Sequence, residues 1–129
     1  MLFPHKDEVL EIQRKLLEEF GGPPGIRDAG LLESALVAAA HRQHYEGANL
    51  AICAATYAFH LTRNHPFVDG NKRVALITSA TFLELNGWRF LAAEEDAVIV
   101  FLDLAAGKTT EREFSRWLQS NSRRPARKS

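Results

Sequence analysis

The sequence lacks most of the features that mark secreted, membrane-bound or disulfide-stabilised proteins. It contains one cysteine, Cys53, so no disulfide can form within the chain, and a reducing cytoplasm is the expected compartment. The longest stretch without a charged side chain, around residues 48–62, is shorter than the roughly 20 apolar residues of a membrane helix. The first residues turn charged too early for a secretory signal. We expect Cys53 to be a packed thiol rather than a nucleophile, because reactive cysteines need exposure and a positive neighbour.

An excess of either charge is also absent, since 16 Lys and Arg balance 16 Asp and Glu. The distribution is uneven, because residues 121–129 hold four basic side chains and no acidic one, which leaves twelve basic against sixteen acidic side chains elsewhere. An acidic body disfavours general nucleic-acid binding, which needs a basic face. We predict one domain over residues 1–120 and then a basic, disordered tail, rather than a tail that binds RNA or an acidic partner.

Alternating strand patterns are missing as well, and the apolar spacing is helical almost throughout. We therefore predict an all-α fold, a compact bundle of about six helices. The helices are expected at residues 6–20, 28–44, 48–63, 70–86, 94–106 and 110–118. The third and fourth are the most apolar and should be buried at the centre. A short hairpin near residues 21–27 or 88–91 is a further alternative.

The helix ends carry recognisable signals. The first helix should stop at the glycine- and proline-rich residues 21–25, and Pro66 should end the third, because the residue before a proline disfavours helical geometry. Asp28 can cap the second helix, and Thr110 and Glu113 form a capping box for the last. On the first helix, the side chains expected to face inward are Val9, Leu10, Ile12, Leu16, Leu17 and Phe20.

A run of reactive side chains lies between the two most apolar helices, at residues 65–73, and reads His-Pro-Phe-Val-Asp-Gly-Asn-Lys-Arg. The start of a helix presents unpaired backbone N–H groups and the positive end of its dipole, which together form a site for anions. Gly70 would let a phosphate approach that backbone, and Lys72 and Arg73 add full positive charge beside it. We predict a phosphate-binding site at this helix start.

The same segment supplies a metal ligand and a base. Asp69 can hold a magnesium ion that bridges phosphate oxygens, and His65 can take a proton from an attacking hydroxyl near neutral pH. Phe67 is expected to fix the loop to the core. Taken singly, these residues also fit structural roles: Asp69 as a helix cap, His65 as a hydrogen-bonding histidine and the two cations as solvated surface. Together they match the needs of phosphate transfer, which are a metal, an anion cradle, positive charge and a base.

This segment resembles the signature of the Fic/Doc family, which reads roughly His-Pro-Phe-x-Asp/Glu-Gly-Asn-Gly/Lys-Arg. Pro66, Gly70 and Lys72 place the chain at the Doc-like end of that pattern, and the upstream residues 20–28 and 30–35 are similar to the Doc branch, the death-on-curing toxins. The resemblance covers roughly residues 1–120. So many specified positions in one run make an accidental match remote.

The resemblance implies an all-α catalytic domain over residues 1–120. Such a domain transfers a phosphate-containing group from a nucleotide to a protein hydroxyl, with Mg²⁺ as cofactor and ATP or another nucleoside triphosphate as co-substrate. The resemblance also implies roles for the residues of the signature: His65 as general base, Asp69 as Mg²⁺ ligand, Gly70 and Asn71 as anion cradle, and Lys72 and Arg73 as ligands of the nucleotide phosphates.

Two positions depart from the adenylylating members of the family. Lys72 stands where most of those enzymes have glycine, and Leu76 stands where they have a second arginine. The lysine side chain occupies space in which a glycine backbone would cradle the α- and β-phosphates, so we expect the nucleotide to present its γ-phosphate to the acceptor. By resemblance to Doc-type kinases of elongation factor Tu, we expect a protein kinase that halts translation. Adenylyl transfer is the alternative.

A non-catalytic binding module and a separate metal site are weaker alternatives. Every reactive position of the signature holds a chemically competent residue, which argues against a module without catalysis. His41 and His44 share a helix face, but no carboxylate stands at ligand spacing, so we do not expect a metal site there. A metal site built from His60 and His65 is disfavoured as well.

The resemblance also implies a partner. No internal segment matches the inhibitory Ser/Thr-x-x-x-Glu-Gly/Asn helix that some Fic proteins carry. We therefore expect restraint by a small antitoxin, whose C-terminal segment folds on binding to an apolar groove. The first two helices supply apolar residues for the walls of such a groove: Leu10, Leu17, Leu32 and Leu36. We expect no contact with a membrane and no direct binding of nucleic acid.

Overall fold

The structure, a computed structural model, describes residues 1–123 and contains six α-helices in that range. They are α1 (Lys6–Phe20), α2 (Ala29–Glu46), α3 (Leu50–Asn64), α4 (Asn71–Leu85), α5 (Glu94–Ala105) and α6 (Glu111–Ser120). The predicted all-α bundle is confirmed, and the helix ends lie close to the expected positions. None of the helices in the described part is both long and apolar enough to cross a membrane.

Helices α3 and α4 form the centre of the bundle. α3 packs against α2, α4 and α6, and α4 also packs against α1 and α5. Tyr57, Leu61 and Phe82 are among the largest fully buried side chains on these two helices. One side of α4 is more open than its apolar residues indicated, since Ile77 and Leu85 are 38% and 39% exposed.

Cys53 lies on α3, inside the core, and is fully buried. Its thiol lies 3.7 Å from the carbonyl oxygen of Ala39, to which it can donate a weak hydrogen bond. Burial raises the pKa of the Cys53 thiol. Because the thiolate is the reactive form, the expectation of a packed, unreactive thiol is confirmed.

The predicted helix caps are present. The Asp28 carboxylate accepts a hydrogen bond from the backbone N–H of Leu31 at 2.9 Å, and Thr110 and Glu113 form the reciprocal capping box of α6. α3 ends at Asn64, two residues before Pro66, as the proline predicts. Local sequence signals therefore determine where these helices begin and end.

Two short antiparallel pairings occur in place of the hairpin that the sequence allowed. β1 (Arg89–Phe90) pairs with β2 (Ser122–Arg123), and Ile26 forms a single bridge with Phe67. Each place considered for a hairpin thus contributes one side of a long-range pairing, and the described part of the chain contains no hairpin. β2 lies at the start of the segment expected to form a basic tail. The rest of that segment, residues 124–129, lies outside the described residues.

Candidate active site

The loop between α3 and α4 begins and ends with a residue in left-handed backbone conformation. His65 has φ 52° and ψ 52°, and Gly70 has φ 81° and ψ 11°. Glycine adopts this conformation readily, whereas a residue with a Cβ raises the energy by about 1–2 kcal/mol. His65 is the only non-glycine residue with positive φ in the described part. Contacts from the surrounding structure therefore have to hold it there.

Arg27 supplies part of that hold. Its Nε donates to the carbonyl oxygen of His65 at 2.6 Å, and its Nη2 donates to the carbonyl oxygen of Asn64 at 2.8 Å. The backbone N–H groups of Arg27 and Asp28 both donate to the carbonyl oxygen of Pro66, at 2.7 and 3.1 Å. Because the last carbonyls of a helix have no intrahelical donor, one arginine caps α3 and fixes the loop that follows.

The side chain of Asn71 braces the loop from its other end. Asn71 is 4% exposed; its Oδ1 accepts from the N–H of Phe67 at 2.9 Å, and its Nδ2 donates to the carbonyl oxygen of Phe67 at 2.9 Å. The same Nδ2 lies 3.1 Å from Nδ1 of His65. Phe67 is fully buried, which confirms that it fixes the loop to the core. The Asn71 side chain therefore faces inward, and its backbone N–H is the group that remains for binding an anion.

These contacts favour one tautomer of neutral His65. The two hydrogen bonds to Phe67 show which end of the Asn71 amide is the nitrogen. In the reversed amide, the NH₂ group would face the N–H of Phe67 and the oxygen would face its carbonyl oxygen. Nδ2 of Asn71 therefore donates, and Nδ1 of His65 accepts. A neutral imidazole that accepts at Nδ1 carries its proton on Nε2. On the side of the ring away from Asn71, His65 thus presents an N–H group and not a lone pair.

Asp69 is exposed at the end of the loop. Its Oδ1 accepts a hydrogen bond from the N–H of Gly70 at 2.8 Å, and its Oδ2 lies against Gly22, in the turn after α1. Gly70 is the N-cap of α4 and no side chain caps this helix, so the alternative role of Asp69 as a cap is not observed. A carboxylate has about four lone-pair sites, so both oxygens keep capacity to bind a metal ion.

Lys72 and Arg73 lie on the first turn of α4 and are exposed. Neither forms an ion pair with any residue of the described range. The Arg73 guanidinium instead lies over the ring of Phe20, 4.2 Å from its centroid. The expectation that Phe20 faces the core was wrong, since this residue is 53% exposed. It is the last residue of α1, and its side chain stacks on Arg73 at the surface.

The residues of this loop and helix start line one cavity of about 420 Å³. Its wall contains every residue that the sequence suggested for the site: His65, Asp69, Gly70, Asn71, Lys72 and Arg73. Leu76 of α4 and three residues of α5, Val98, Phe101 and Leu102, complete the lining. The first N–H groups of α4 have no intrahelical acceptor and can bind an anion. The cavity therefore joins an anion-binding backbone to an apolar face of α5.

The Fic/DOC family model matches residues 3–83, which is more than half of the chain. The chain belongs to the Fic/Doc family. The match runs from the residues before α1 to nearly the end of α4, and so includes the whole loop at the cavity.

Two relatives within the Fic/Doc family are informative. Protein kinase doc of Escherichia phage P1 is 32% identical over 105 residues, which cover 81% of this chain and 79% of that protein. Toxin Doc of Mycolicibacterium smegmatis is 42% identical over 79 residues, and this chain spans only 60% of that protein's length. Both relatives are Doc proteins, so the resemblance to the Doc branch is confirmed.

The cavity of this Fic/Doc chain suits a metal ion that arrives with phosphate. Within residues 1–123, no group of three or more His, Cys, Asp or Glu side chains could hold a metal ion. Mg²⁺ commonly binds one or two carboxylates together with substrate phosphates and keeps several waters. Asp69 offers one exposed carboxylate beside Lys72, Arg73 and the start of α4. This donor set fits Mg²⁺ held jointly by Asp69 and a nucleotide.

Sequence reasoning missed the residues that reach the Fic/Doc signature from other parts of the chain. Val98, Phe101 and Leu102 have helical spacing, which indicates one apolar face of α5 but not what that face covers. Arg27 lies in the upstream segment that resembles the Doc branch, and cations often cap helix ends. Its target carbonyls, however, are 37 and 38 residues away in sequence. No local signal could have found these contacts.

Proposed function

We propose that this chain is the toxin of a toxin–antitoxin pair and a protein kinase, with residues 1–120 as its catalytic domain. It transfers the γ-phosphate of a nucleoside triphosphate to a hydroxyl of a target protein. The observation that carries the proposal is the position of Lys72 and Leu76, one turn apart on α4 and both on the cavity wall. The names of the two relatives, Protein kinase doc and Toxin Doc, support it.

The pair of Lys72 and Leu76 gives the cavity one charged end and one apolar end. The ammonium of Lys72 favours the most highly charged part of a nucleoside triphosphate at the start of α4. Leu76 has an apolar side chain, which offers neither a hydrogen bond nor a positive charge to a phosphate that loses its water on binding. A nucleotide with its γ-phosphate near His65 and the α4 start satisfies both residues better than one with its α-phosphate there.

Phosphate oxygens would accept hydrogen bonds from the first N–H groups of α4, while the Lys72 and Arg73 side chains neutralise the charge of the transferred group. Asp69 would hold Mg²⁺, which supplies further neutralisation at the phosphates. The space beside Gly70 is open, because a Cβ there would have no atom within 4 Å. Across the cavity, Val98 and Leu102 are 44% and 49% exposed and offer an apolar surface for the nucleobase.

His65 would take the proton of the target hydroxyl. The hydroxyl oxygen forms its bond to phosphorus while the bond from phosphorus to the nucleoside diphosphate oxygen breaks. In the free protein, the contact from Asn71 to Nδ1 favours the neutral His65 tautomer with its proton on Nε2. For Nε2 to accept, the proton of the ring must lie on Nδ1, so the Asn71 contact has to break or the ring has to turn over when substrates bind. The proposed base role therefore requires a local rearrangement of His65.

By similarity to the Doc branch, we propose elongation factor Tu as the target, the cytoplasm as the compartment and inhibition of translation as the result. The antitoxin would restrain the enzyme through a C-terminal segment that folds on binding. Of the leucines expected to line its groove, Leu32 is fully buried in the core and is removed from that set. Leu10, Leu17 and Leu36 are only partly buried and remain candidates.

The test is incubation of the protein with Mg²⁺ and ATP in a bacterial cell extract, with the label on either the γ- or the α-phosphate. We expect one predominant protein labelled from γ-labelled ATP only, identified as elongation factor Tu, and no labelling by the His65→Ala variant. Labelling from α-labelled ATP would favour the alternative, adenylyl transfer. Nucleotide binding without any labelled protein would indicate a non-catalytic binding module.

A further inference from the structure

The end of α1 and the turn after it contact two of the charged residues of the cavity. Phe20, the last residue of α1, stacks on Arg73, and Gly22, two residues later, lies against Asp69. Neither contact comes from the signature segment itself. Phe20 and Gly22 therefore have the geometry to influence the positions of both charged groups.

The contact between Phe20 and Arg73 places the central carbon of the guanidinium over the ring, 4.2 Å from its centroid. A guanidinium held over a ring by this attraction keeps N–H donors that can bind phosphate oxygens. Phe20 is 53% exposed, so its ring adds little to the core. Arg73 has no ion pair with any residue from 1 to 123, so the stacking is the interaction that restrains this guanidinium.

Two observations disfavour a Cβ at Gly22, and the second concerns the tip of the exposed Asp69 side chain, which would have to turn away. Gly22 has φ 115°, a backbone conformation that residues with a Cβ rarely adopt. A Cβ at Gly22 would also overlap Oδ2 of Asp69, at a separation that real Cβ atoms do not show. Gly25 has nearly the same φ, 121°, but a Cβ there would make an ordinary contact of 3.6 Å with Val68. Gly25→Ala therefore serves as a control: it changes a glycine with nearly the same φ but without a contact to Asp69.

We propose that Phe20 and Gly22 are positioning residues of the phosphate site. Phe20 orients the guanidinium of Arg73 toward the phosphates, and the bare backbone of Gly22 sets the place of the Asp69 carboxylate. The inference rests on the proposed function, because it takes Arg73 as a phosphate ligand and Asp69 as the Mg²⁺ ligand. The two contacts make separate predictions, since one concerns phosphate and the other concerns metal.

The test of Phe20 compares Phe20→Leu with Phe20→Tyr by calorimetric titration of ATP, once with Mg²⁺ and once with EDTA. Leucine keeps an apolar side chain but has no ring, whereas tyrosine keeps the ring face. We expect Phe20→Leu to weaken ATP binding about two- to fivefold in both conditions, as the loss of an exposed cation–π contact implies. Phe20→Tyr should bind like the wild type. Equal affinities for the two variants would overturn the role of Phe20.

The test of Gly22 uses the same titrations and compares Gly22→Ala with the matched control Gly25→Ala. We expect Gly22→Ala to lose most of the gain in ATP affinity that Mg²⁺ provides, and to bind ATP in EDTA much like the control. Contacts that orient a metal ligand typically change metal affinity about 10- to 100-fold. If Gly22→Ala and Gly25→Ala keep the same gain from Mg²⁺, the role of Gly22 is wrong.

A stability measurement tests the Gly22 contact without any nucleotide. We expect Gly22→Ala to lower the midpoint of thermal unfolding more than Gly25→Ala does. In an Asp69→Ala background the carboxylate is absent, so the two glycine variants should then unfold at similar temperatures. An excess loss for Gly22→Ala that persists in this background would overturn the contact.

These readouts also separate the inference from the proposed function. A wild-type protein that binds ATP but transfers no phosphate would contradict the kinase proposal, while the affinities and unfolding temperatures would still decide the roles of Phe20 and Gly22.

Discussion

Nδ2 of Asn71 lies 3.1 Å from Nδ1 of His65, and the same amide is bonded on both sides to the backbone of Phe67. The contact joins His65, the proposed base, to the buried side chain of Asn71. From the family signature alone, Asn71 is expected only as part of an anion cradle. The contact also favours one arrangement of the donor and acceptor ends of the His65 ring in the free protein.

The first prediction concerns that ring. Neutral His65 in the free protein should carry its proton on Nε2, because Nδ1 accepts from Asn71. Nitrogen-15 NMR of the histidine side chains distinguishes the two tautomers, and His65→Gln identifies the signals of His65 by their disappearance. Signals typical of a proton on Nδ1 would show that the Asn71 contact is not formed in solution.

The second prediction concerns catalysis by His65. His65→Ala should lower the rate of phosphate transfer about 100- to 10,000-fold, the usual contribution of a general base. ATP affinity should stay close to that of the wild type, because the proposed phosphate ligands lie on α4. Single-turnover transfer and calorimetric titration measure the two quantities. An unchanged transfer rate would remove His65 from the mechanism.

A third prediction follows from the two ends of the cavity. The double variant Lys72→Gly with Leu76→Arg should lose most kinase activity and gain some adenylyl transfer, since it restores the phosphate contacts of adenylylating family members. Lys108→Gly, which changes an exposed lysine that does not line the cavity, is the control and should keep kinase activity. A double variant as active in phosphate transfer as the wild type would refute the account of Lys72.

The fourth prediction concerns the partner. Expression of the wild-type chain alone in bacteria should arrest growth, and either His65→Ala or co-expression of an antitoxin encoded beside it should relieve the arrest. Harmless expression of a folded, active wild-type protein without a partner would count against the toxin proposal.

The fold and the core of the site could be predicted because their signals are local. The caps formed by Asp28 and by the Thr110–Glu113 box consist of hydrogen bonds between residues close in sequence, so they can be predicted from the sequence. The six candidate site residues lie within nine consecutive positions, and a helix start brings such neighbours together without help from the rest of the fold.

The remaining parts depend on contacts between distant segments, for which the sequence has no local signal. Phe20 continues the apolar spacing of α1, yet it lies at the end of the helix and stacks on Arg73 instead of entering the core. Asn71 lines the cavity, as expected, but the sequence did not reveal that its side chain hydrogen-bonds the buried backbone of Phe67.

The most direct test of the central claim is the mass added to purified elongation factor Tu by the wild-type protein with ATP and Mg²⁺. His65→Ala serves as the control for transfer by a contaminating enzyme. The account predicts the addition of one phosphate, which should be absent with His65→Ala. Addition of an adenylate, or a phosphate added equally well by His65→Ala, would contradict it.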